Sequence, residues 1–416
     1  MFGQRDVAVI GGGQAGLAMS ACLSAAGIDH VVLERGEIGE RWRSERWTSL
    51  RLLTPNWMTR LPGPGLAVGE AHGFMTSGEF VHHLTAYART TAAPLITRIA
   101  VTALSVEGRG YRVTSTSGSF RARAVVIATG ACDRPALPRW SGELSPAICQ
   151  ITPDRYRGPE SLADGGVLVA GASATGVQIA RELRRAGRPV TLSAGRHVRA
   201  PRRYRGRDIF EWLDSSGFLS DPLEDGADIA RLRAQPSLQR MGSSTDGEVG
   251  LPDLAREGVR IVGRALSGSG SRISLGADLA EQCLASEARR RRLLSRIDAH
   301  ISEAGIDASP DPEAWRPARP FGPGPAELDL RAEGIGTIVW ATGYRRAYSW
   351  LKVPVLDGAG EIRSDRGVVA APGLFVLGLP FQRHRASAFI DGVGRDAEAL
   401  LPQIARHLGA PVPIAA

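Results

Sequence analysis

The sequence predicts an α/β fold of two nested parallel-sheet units with a small β-meander, and three observations predict it. A strand–glycine turn–helix–strand pattern opens the chain at Val7 and returns at Val167, its two turns beginning at Gly11 and Gly171. Two apolar strands that end in Ala-Thr-Gly, at Gly130 and Gly343, bracket the second pattern. The chain also has 416 residues, 43% of them hydrophobic, enough to fill the cores of two or three domains of roughly 150 residues each.

Taken in order, Val7-Ala-Val-Ile10 is a buried strand, residues 11–16 a turn, residues 17–26 a helix closed by Gly27, and His30-Val-Val-Leu33 a second strand. Residues 95–106 and 111–123 read as a β-meander with Gly108 and Gly118 as turns. Ala124-Val-Val-Ile-Ala-Thr-Gly130 closes this first unit. Val167-Leu-Val-Ala170, the turn at 171–176, a helix over 177–186 and Pro189-Val-Thr-Leu192 repeat the opening pattern, and Gly336-Thr-Ile-Val-Trp-Ala-Thr-Gly343 closes it. Between them, residues 259–262 and 272–275 look like strands around a Gly/Ser-rich turn. Residues 278–304 look like a helix with Leu279, Cys283, Leu294, Ile297 and Ile301 on one face. Residues 309–325 form a proline-rich extended stretch, and residues 201–250 show no strong period. The expected layout is a first domain of residues 1–155 and 325–416, interrupted by a second of residues 160–325 with a helical extension.

Composition excludes several classes. Basic side chains outnumber acidic ones 51 to 43, a formal net charge of +8, and every basic residue except Lys352 is arginine. So mild an excess does not call for nucleic acid. Cys22, Cys132, Cys149 and Cys283 lie far apart with no CxxC pair, which argues against a disulfide framework, a zinc ribbon and a dithiol redox centre, and for a reducing compartment. Residues 7–26 imitate a signal peptide or a membrane span. Asp6 precedes them, however, and Gly11, Gly12, Gly13, Gln14 and Gly16 break the run, so neither an unbroken signal core nor the ~20 apolar residues of a span is present. A cytoplasmic protein that spans no membrane is expected.

The glycine turns carry the chemistry. In a strand–turn–helix context, Gly11 allows the tight turn, Gly13 lets a pyrophosphate approach the backbone, and Gly16 lets the helix pack on the strand; the helix N-terminus then stabilises phosphate charge. Glu34, at the end of the second strand, is placed to accept from a ribose diol. In the second turn Gly171 and Gly176 return, Ser173 replaces the middle glycine, and the second strand ends in Ser193 followed by Arg196 rather than in an acid. A serine and an arginine welcome a 2′-phosphate that an acid repels, so the first site is expected to take an adenosine with a free ribose and the second NADPH.

Rival chemistries fail on detail. Arg196, Arg199, Arg202, Arg203, Arg205 and Arg207 form a basic cluster, but with no interleaved stacking aromatics beyond Tyr204 it does not read as a nucleic-acid patch. Residues 171–175 lack the second glycine of a nucleophile elbow. His82 and His83 are sequence neighbours, about 100° apart on a helix, and so are poor partners for one metal; no metal site is expected.

On these residues the sequence resembles the two-dinucleotide-binding-domain flavoproteins. Within them it is similar to the class B flavin monooxygenases, which include flavin-containing, Baeyer–Villiger and plant indole-pyruvate monooxygenases. The resemblance covers nearly the whole chain. It rests on Gly11, Gly13 and Gly16 with Glu34, Trp42-Arg43 after Gly39, and Ser49-Leu-Arg-Leu-Leu-Thr-Pro55 with Leu61-Pro-Gly63. It continues through Ala128-Thr-Gly130, Gly171, Ser173 and Gly176, Trp340-Ala-Thr-Gly-Tyr344 and Pro372-Gly-Leu-Phe-Val-Leu-Gly378. It implies two Rossmann-like domains, one for FAD and one for NADPH. FAD would be held by Gly11, Gly13, Gln14, Ala15, Gly16, Glu34, Arg35, Arg41, Trp42, Arg43, Thr54, Thr129, Gly130, Gly378 and Phe389, with a last helix near residues 387–400 against the flavin. NADPH would be held by Gly171, Ser173, Ala174, Thr175, Gly176, Ser193, Arg196, Ala341, Thr342 and Gly343.

There are two departures, the lesser being Leu53, where several members of the group carry a polar residue beside the flavin. Where the group carries FxGxxxHxxx(Y/F), Trp140 and Gly142 match the start and Tyr156-Arg157 the end, with no histidine between; Gln150 is the nearest polar residue and the candidate to steady the nicotinamide. The activity the resemblance implies is oxygenation of a small organic substrate by O2 through a flavin C4a-hydroperoxide, at the expense of NADPH. The alternatives are an NADPH-dependent flavin reductase or oxidase without oxygenation, and a cofactor-binding sensor without turnover. Oligomeric state is not readable, a homodimer being the assembly to test.

Overall fold

Arg5–Ile10 pairs in parallel with His30–Leu33 on one side and with Gly118–Ile127 on the other, in a computed structural model that describes residues 3–224, 226–243 and 248–411. Leu95–Ile96 extends the sheet beyond His30–Leu33, and Leu374–Val376 extends it beyond Gly118–Ile127, both in parallel. The period of two divides these strands between two cores. Val7, Val9, Val32 and Val126 face the helices Gln14–Ala25 and Ile390–Leu408. Ala8, Ile10, Val31, Leu33, Val125 and Ile127 face Tyr111, Val113 and Phe120. A strand covered on both sides has no use for polar residues, which is why these segments read as unbroken apolar runs.

The second sheet is also parallel, in the order Arg260–Val262, Val190–Ser193, Gly166–Ala170, Ile335–Trp340, Cys149–Ile151. Val167, Val169, Leu192 and Val339 pack under the helix Ala174–Arg185. Leu168, Val262, Ile338 and Trp340 pack against an antiparallel layer of Ala265–Ser269, Arg272–Leu275 and Glu327–Asp329.

Three details differ from the sequence expectation. Leu95–Ile96 belongs to the parallel sheet; the meander proper is Val101–Glu107 and Gly110–Ser115 leading into Gly118–Ile127, whose second half runs on as a central parallel strand. Arg260–Val262 pairs with Val190–Ser193 and not with Arg272–Leu275, because a further strand, Ala265–Ser269, takes that place. Cys149–Ile151 and Ile335–Trp340 lie in the second sheet, although boundaries at residues 155 and 325 put both with the first.

The chain crosses between the sheets on a two-stranded ribbon. Arg134–Pro135, leaving the first, pairs antiparallel with Tyr344–Arg345, returning from the second. A second connection is a strap from the helical extension. The backbone N–H of Leu223 donates to the Arg383 carbonyl at 3.0 Å and that of Ala386 to the Leu219 carbonyl at 3.1 Å. Arg233 Nε donates to the Pro380 carbonyl at 2.9 Å. The expected helix appears as Leu279–Glu303, with Leu294, Ile297 and Ile301 buried against Tyr204, Trp212 and Leu213. Among the described residues no helix is long and apolar enough to cross a membrane.

Candidate dinucleotide-binding site

The two glycine turns are copies of one another. Gly11 has φ +119° and Gly171 φ +116°, left-handed conformations that favour glycine. A Cβ at Gly11 would lie 2.4 Å from the Ala128 carbonyl oxygen, and one at Gly171 2.3 Å from that of Ala341. So each Ala-Thr-Gly strand closes on its own turn. A Cβ at Gly16 would stand 1.8 Å from the Gly11 oxygen, and one at Gly176 1.8 Å from the Gly171 oxygen. Around Gly13 nothing among the described residues lies within 4 Å of an added Cβ, which leaves the space in front of the helix start open. That cradle fits a pyrophosphate on the helix N-terminus.

Glu34 is 8% exposed and sits over the first turn, where one carboxylate oxygen accepts from the Gly12 N–H at 2.6 Å and the other from the Gly36 N–H at 2.9 Å. Gln14, the first residue of the helix, accepts from Trp42 Nε1 at 3.3 Å. Gly378 is brought so close to Ala15 that a Cβ there would lie 2.9 Å from the Ala15 methyl. Thr129 and Gly130 follow Ala128 at the same edge, and Thr54 follows Leu53 in a half-buried loop. Phe389 stands immediately before the helix Ile390–Leu408, edge-on to Phe210 with ring centroids 6.3 Å apart.

Arg35, Arg41 and Arg43 do not converge on the cradle. Arg41 pairs with Asp133 and with Glu45, and Arg35 lies 3.5 Å from Asp133 and 3.7 Å from Glu45, so both charges are met by carboxylates. Arg43 is exposed and lines a surface depression with Val81, Thr85 and Arg89.

At the second turn Ser173 stands where Gly13 stands in the first, with Ala174 and Thr175 opening the helix. Ser193 does not face a ligand. It is 3% exposed, and its hydroxyl donates to the Gly263 carbonyl at 3.0 Å and accepts from the Ala265 N–H at 2.9 Å, stitching two strand ends together. Arg196 is exposed, and among the described residues its hydrogen bonding is a 3.4 Å contact to the Ala234 carbonyl. The stitch brings up a residue that sequence reasoning missed: Arg264, also exposed, lays its side chain over Gly195, its Cδ 3.2 Å from an added Cβ there. Its signal was position, since Gly263-Arg264 follows one parallel strand as Gly195-Arg196 follows its neighbour. Thr342 donates to the Ala136 carbonyl at 2.7 Å, and the Gly343 carbonyl accepts from the Ala136 N–H at 2.9 Å, so these residues build the ribbon.

Gln150 is engaged at both ends. Its Nε2 donates to the Ser141 carbonyl at 3.0 Å and its Oε1 accepts from Trp340 Nε1 at 2.9 Å, within the edge of the second sheet. This is a structural position, and the expectation that Gln150 steadies a nicotinamide finds no support in it. Three of the six arginines of the basic cluster are paired with acids, Arg199 with Glu248, Arg202 with Asp208 and Arg205 with Asp298.

Two parallel sheets, each with a glycine turn at the carboxyl ends of its strands, define an oxidoreductase built around two dinucleotide sites. A family model described as pyridine nucleotide-disulphide oxidoreductase matches residues 8–209. The CzcO-like oxidoreductase of Geobacillus kaustophilus (strain HTA426) is 32% identical over 406 residues, 97% of this chain and 99% of its own. The chain therefore belongs to the CzcO-like oxidoreductases. An indole-3-pyruvate monooxygenase of Oryza sativa subsp. japonica is 31% identical over 186 residues, 43% of this chain and 45% of its own. A flavin monooxygenase from Stenotrophomonas maltophilia, solved as a double mutant, shares the fold with a TM-score of 0.65 at 22% identity, covering 98% of this chain and 99% of its own.

Proposed function

We propose that this oxidoreductase is an FAD-dependent, NADPH-consuming monooxygenase that inserts one oxygen atom of O2 into a small organic substrate. The observation that carries the reading is the contrast between two turns of the same backbone shape: a buried carboxylate, Glu34, over the first, and two exposed arginines, Arg196 and Arg264, at the strand ends beside the second. The first suits a free ribose diol and the second a 2′-phosphate. The monooxygenase names of the rice and Stenotrophomonas relatives support the oxygenation part.

When bound, FAD would take a hydride from NADPH and activate O2. The chain supplies the rest. The N–H groups at the start of Gln14–Ala25 would receive the FAD pyrophosphate, and Glu34 its adenosine ribose. Ser173 and the N–H groups behind it would receive the NADPH pyrophosphate, Arg196 and Arg264 its 2′-phosphate. Phe389 and Phe210, packed edge-on, would keep water from the reacting end. The second reading, an NADPH-dependent flavin oxidoreductase without oxygenation, is favoured by one observation: no histidine lies between Gly142 and Tyr156, and Gln150, the candidate to stand in for it, is engaged at both ends. The test is to reduce the protein with NADPH without air and mix it with oxygen. A monooxygenase shows an absorbance transient, prolonged by NADP+, before the oxidised spectrum returns, and carries label from 18O2 into product. Direct return with one peroxide per flavin, indifferent to NADP+ and to a panel of amines, sulfides and ketones, establishes the second reading instead.

A further inference from the structure

Arg240 is 2% exposed, and among the described residues its hydrogen bonding is limited to Nη1 on the Pro201 carbonyl at 2.6 Å, with Nε and Nη2 unpartnered. Arg202, 5% exposed, is better served. It pairs with Asp208, donates to the carbonyls of Leu53 at 3.0 Å and Met241 at 3.4 Å, and lies 4.3 Å over the Phe74 ring. Phe210 bridges the two guanidinium groups, its centroid 5.5 Å from Arg240 Cζ and 5.8 Å from Arg202 Cζ. Glu248, the other acid that acts on Arg240, is committed to Arg199 and Arg290. Burial, reinforced by Arg202, brings Arg240 down to about 9, so at neutral pH it still carries its charge. An uncompensated buried charge is strongly unfavourable, and a bidentate anion is the group whose geometry matches a guanidinium fork.

The location narrows the anion. Gln239 Nε2 donates at 2.7 Å to the carbonyl of Ala172, inside the second glycine turn. Three residues on, Gly242 lies so close to the first unit that a Cβ would stand 2.2 Å from the Leu52 carbonyl oxygen. Arg240 thus lies on the segment that runs from the second turn to the loop around Leu52 and Leu53, and Phe210 joins it to Phe389 at the head of the last helix. Phe74, the ring under Arg202, also lines a cavity of about 760 Å³ together with Met75, His83 and Gly242.

We propose that Arg240, backed by Arg202, anchors an organic carboxylate whose apolar body lies against Phe74, Phe210 and Phe389. The two turns offer phosphates their own N–H donors and exposed arginines, whereas Arg240 is buried with the Phe210 ring against its guanidinium, and its neighbour Arg202 lies over Phe74, surroundings that favour a carboxylate on an apolar body. Calling this ligand the substrate rests on the monooxygenase reading; its binding does not.

The test uses the oxidised, FAD-loaded full chain titrated with benzoate, phenylacetate and 3-phenylpropionate, their neutral amides, and inorganic phosphate, followed by flavin absorbance and melting temperature. At least one carboxylate is expected to bind about tenfold or more tightly than its amide and than phosphate, and Arg240→Gln to weaken it about tenfold or more while NADP+ affinity stays within about twofold. Equal binding of acid and amide, no carboxylate binding at all, or an Arg240→Gln variant with unchanged carboxylate affinity overturns the proposal. So does a parallel loss of NADP+ affinity, which would assign Arg240 to the dinucleotide. If Arg240→Gln does not fold, Arg240→Lys keeps the charge but loses the fork, and the proposal requires it to weaken the carboxylate as well. Failure of the oxygenation reading would look different: carboxylates would bind as expected while reduced protein returned directly to oxidised flavin and peroxide.

Discussion

Gly13 and Ser173 share one backbone conformation, φ −86° and ψ −172° against φ −81° and ψ −176°, so neither position needs glycine for its dihedrals. What a side chain at Gly13 would occupy is the open cradle. Gly13→Val is therefore expected to fold, with a melting point close to that of the parent stripped of flavin, and to purify colourless; a folded variant at full FAD occupancy contradicts the assignment. Gly16→Ala, with its methyl 1.8 Å from the Gly11 oxygen, is by contrast a folding defect. For the exposed arginines, a charge-assisted contact to phosphate is worth roughly 1.5–3 kcal/mol, or about ten- to a hundredfold in affinity. Arg196→Ala and Arg264→Ala should each weaken NADPH by such a factor and leave NADH nearly unchanged, measured as dissociation constants for the two nucleotides. Equal losses for both would argue against a 2′-phosphate site. Ser193 shows where residue-level reading stops. A serine at a strand end facing a ligand and one stitched to the neighbouring strand have the same sequence context, and only the bonds to Gly263 and Ala265 tell them apart.

The elements that were legible are those whose determinants are local. Val7–Ile10 and Val167–Ala170 are apolar runs, the turns after them are punctuated by glycines, and the helix Leu279–Glu303 keeps a 3.6-residue period. Much of the described part of residues 201–250 was opaque because its packing partners are far away in the chain. Trp212 is buried against Leu294 and Ile297, and Phe210 meets Phe389. No window of sequence contains both sides of such contacts. The fourth parallel strand, Arg260–Val262, was visible as a strand but not as a neighbour of Val190–Ser193, since its pairing depends on the Ser193 stitch and on a strand inserted after it. That stitch makes its own prediction. Ser193→Ala leaves two backbone groups without their partner and should cost about 1–3 kcal/mol in thermal or denaturant unfolding. The preference for NADPH over NADH should not change; a variant of parental stability but altered preference would return Ser193 to the ligand.

At the scale of the molecule, the connections between the units include the ribbon of Arg134–Pro135 with Tyr344–Arg345 and the strap between residues 219–223 and 383–386. The strap covers apolar groups of both units, Met58, Ala386 and Phe389 among them. The ribbon has a different meaning. Its two strands lie opposite each other, so everything between them leaves and re-enters the first unit through a gap of roughly 5 Å. The intervening stretch is, in genetic terms, a cassette. Replacing residues 135–344 with a glycine-rich linker of about four residues should bridge that gap without strain. Every strand of the first sheet lies outside the excised stretch. The shortened chain is expected to keep its parallel sheet by circular dichroism and to retain flavin, though with Met58 and Phe389 uncovered it should self-associate. Loss of the sheet on excision would mean that the halves fold only together. If the sheet survives, a lineage of such proteins can change its electron donor by exchanging the cassette, without rewriting the host that holds the flavin.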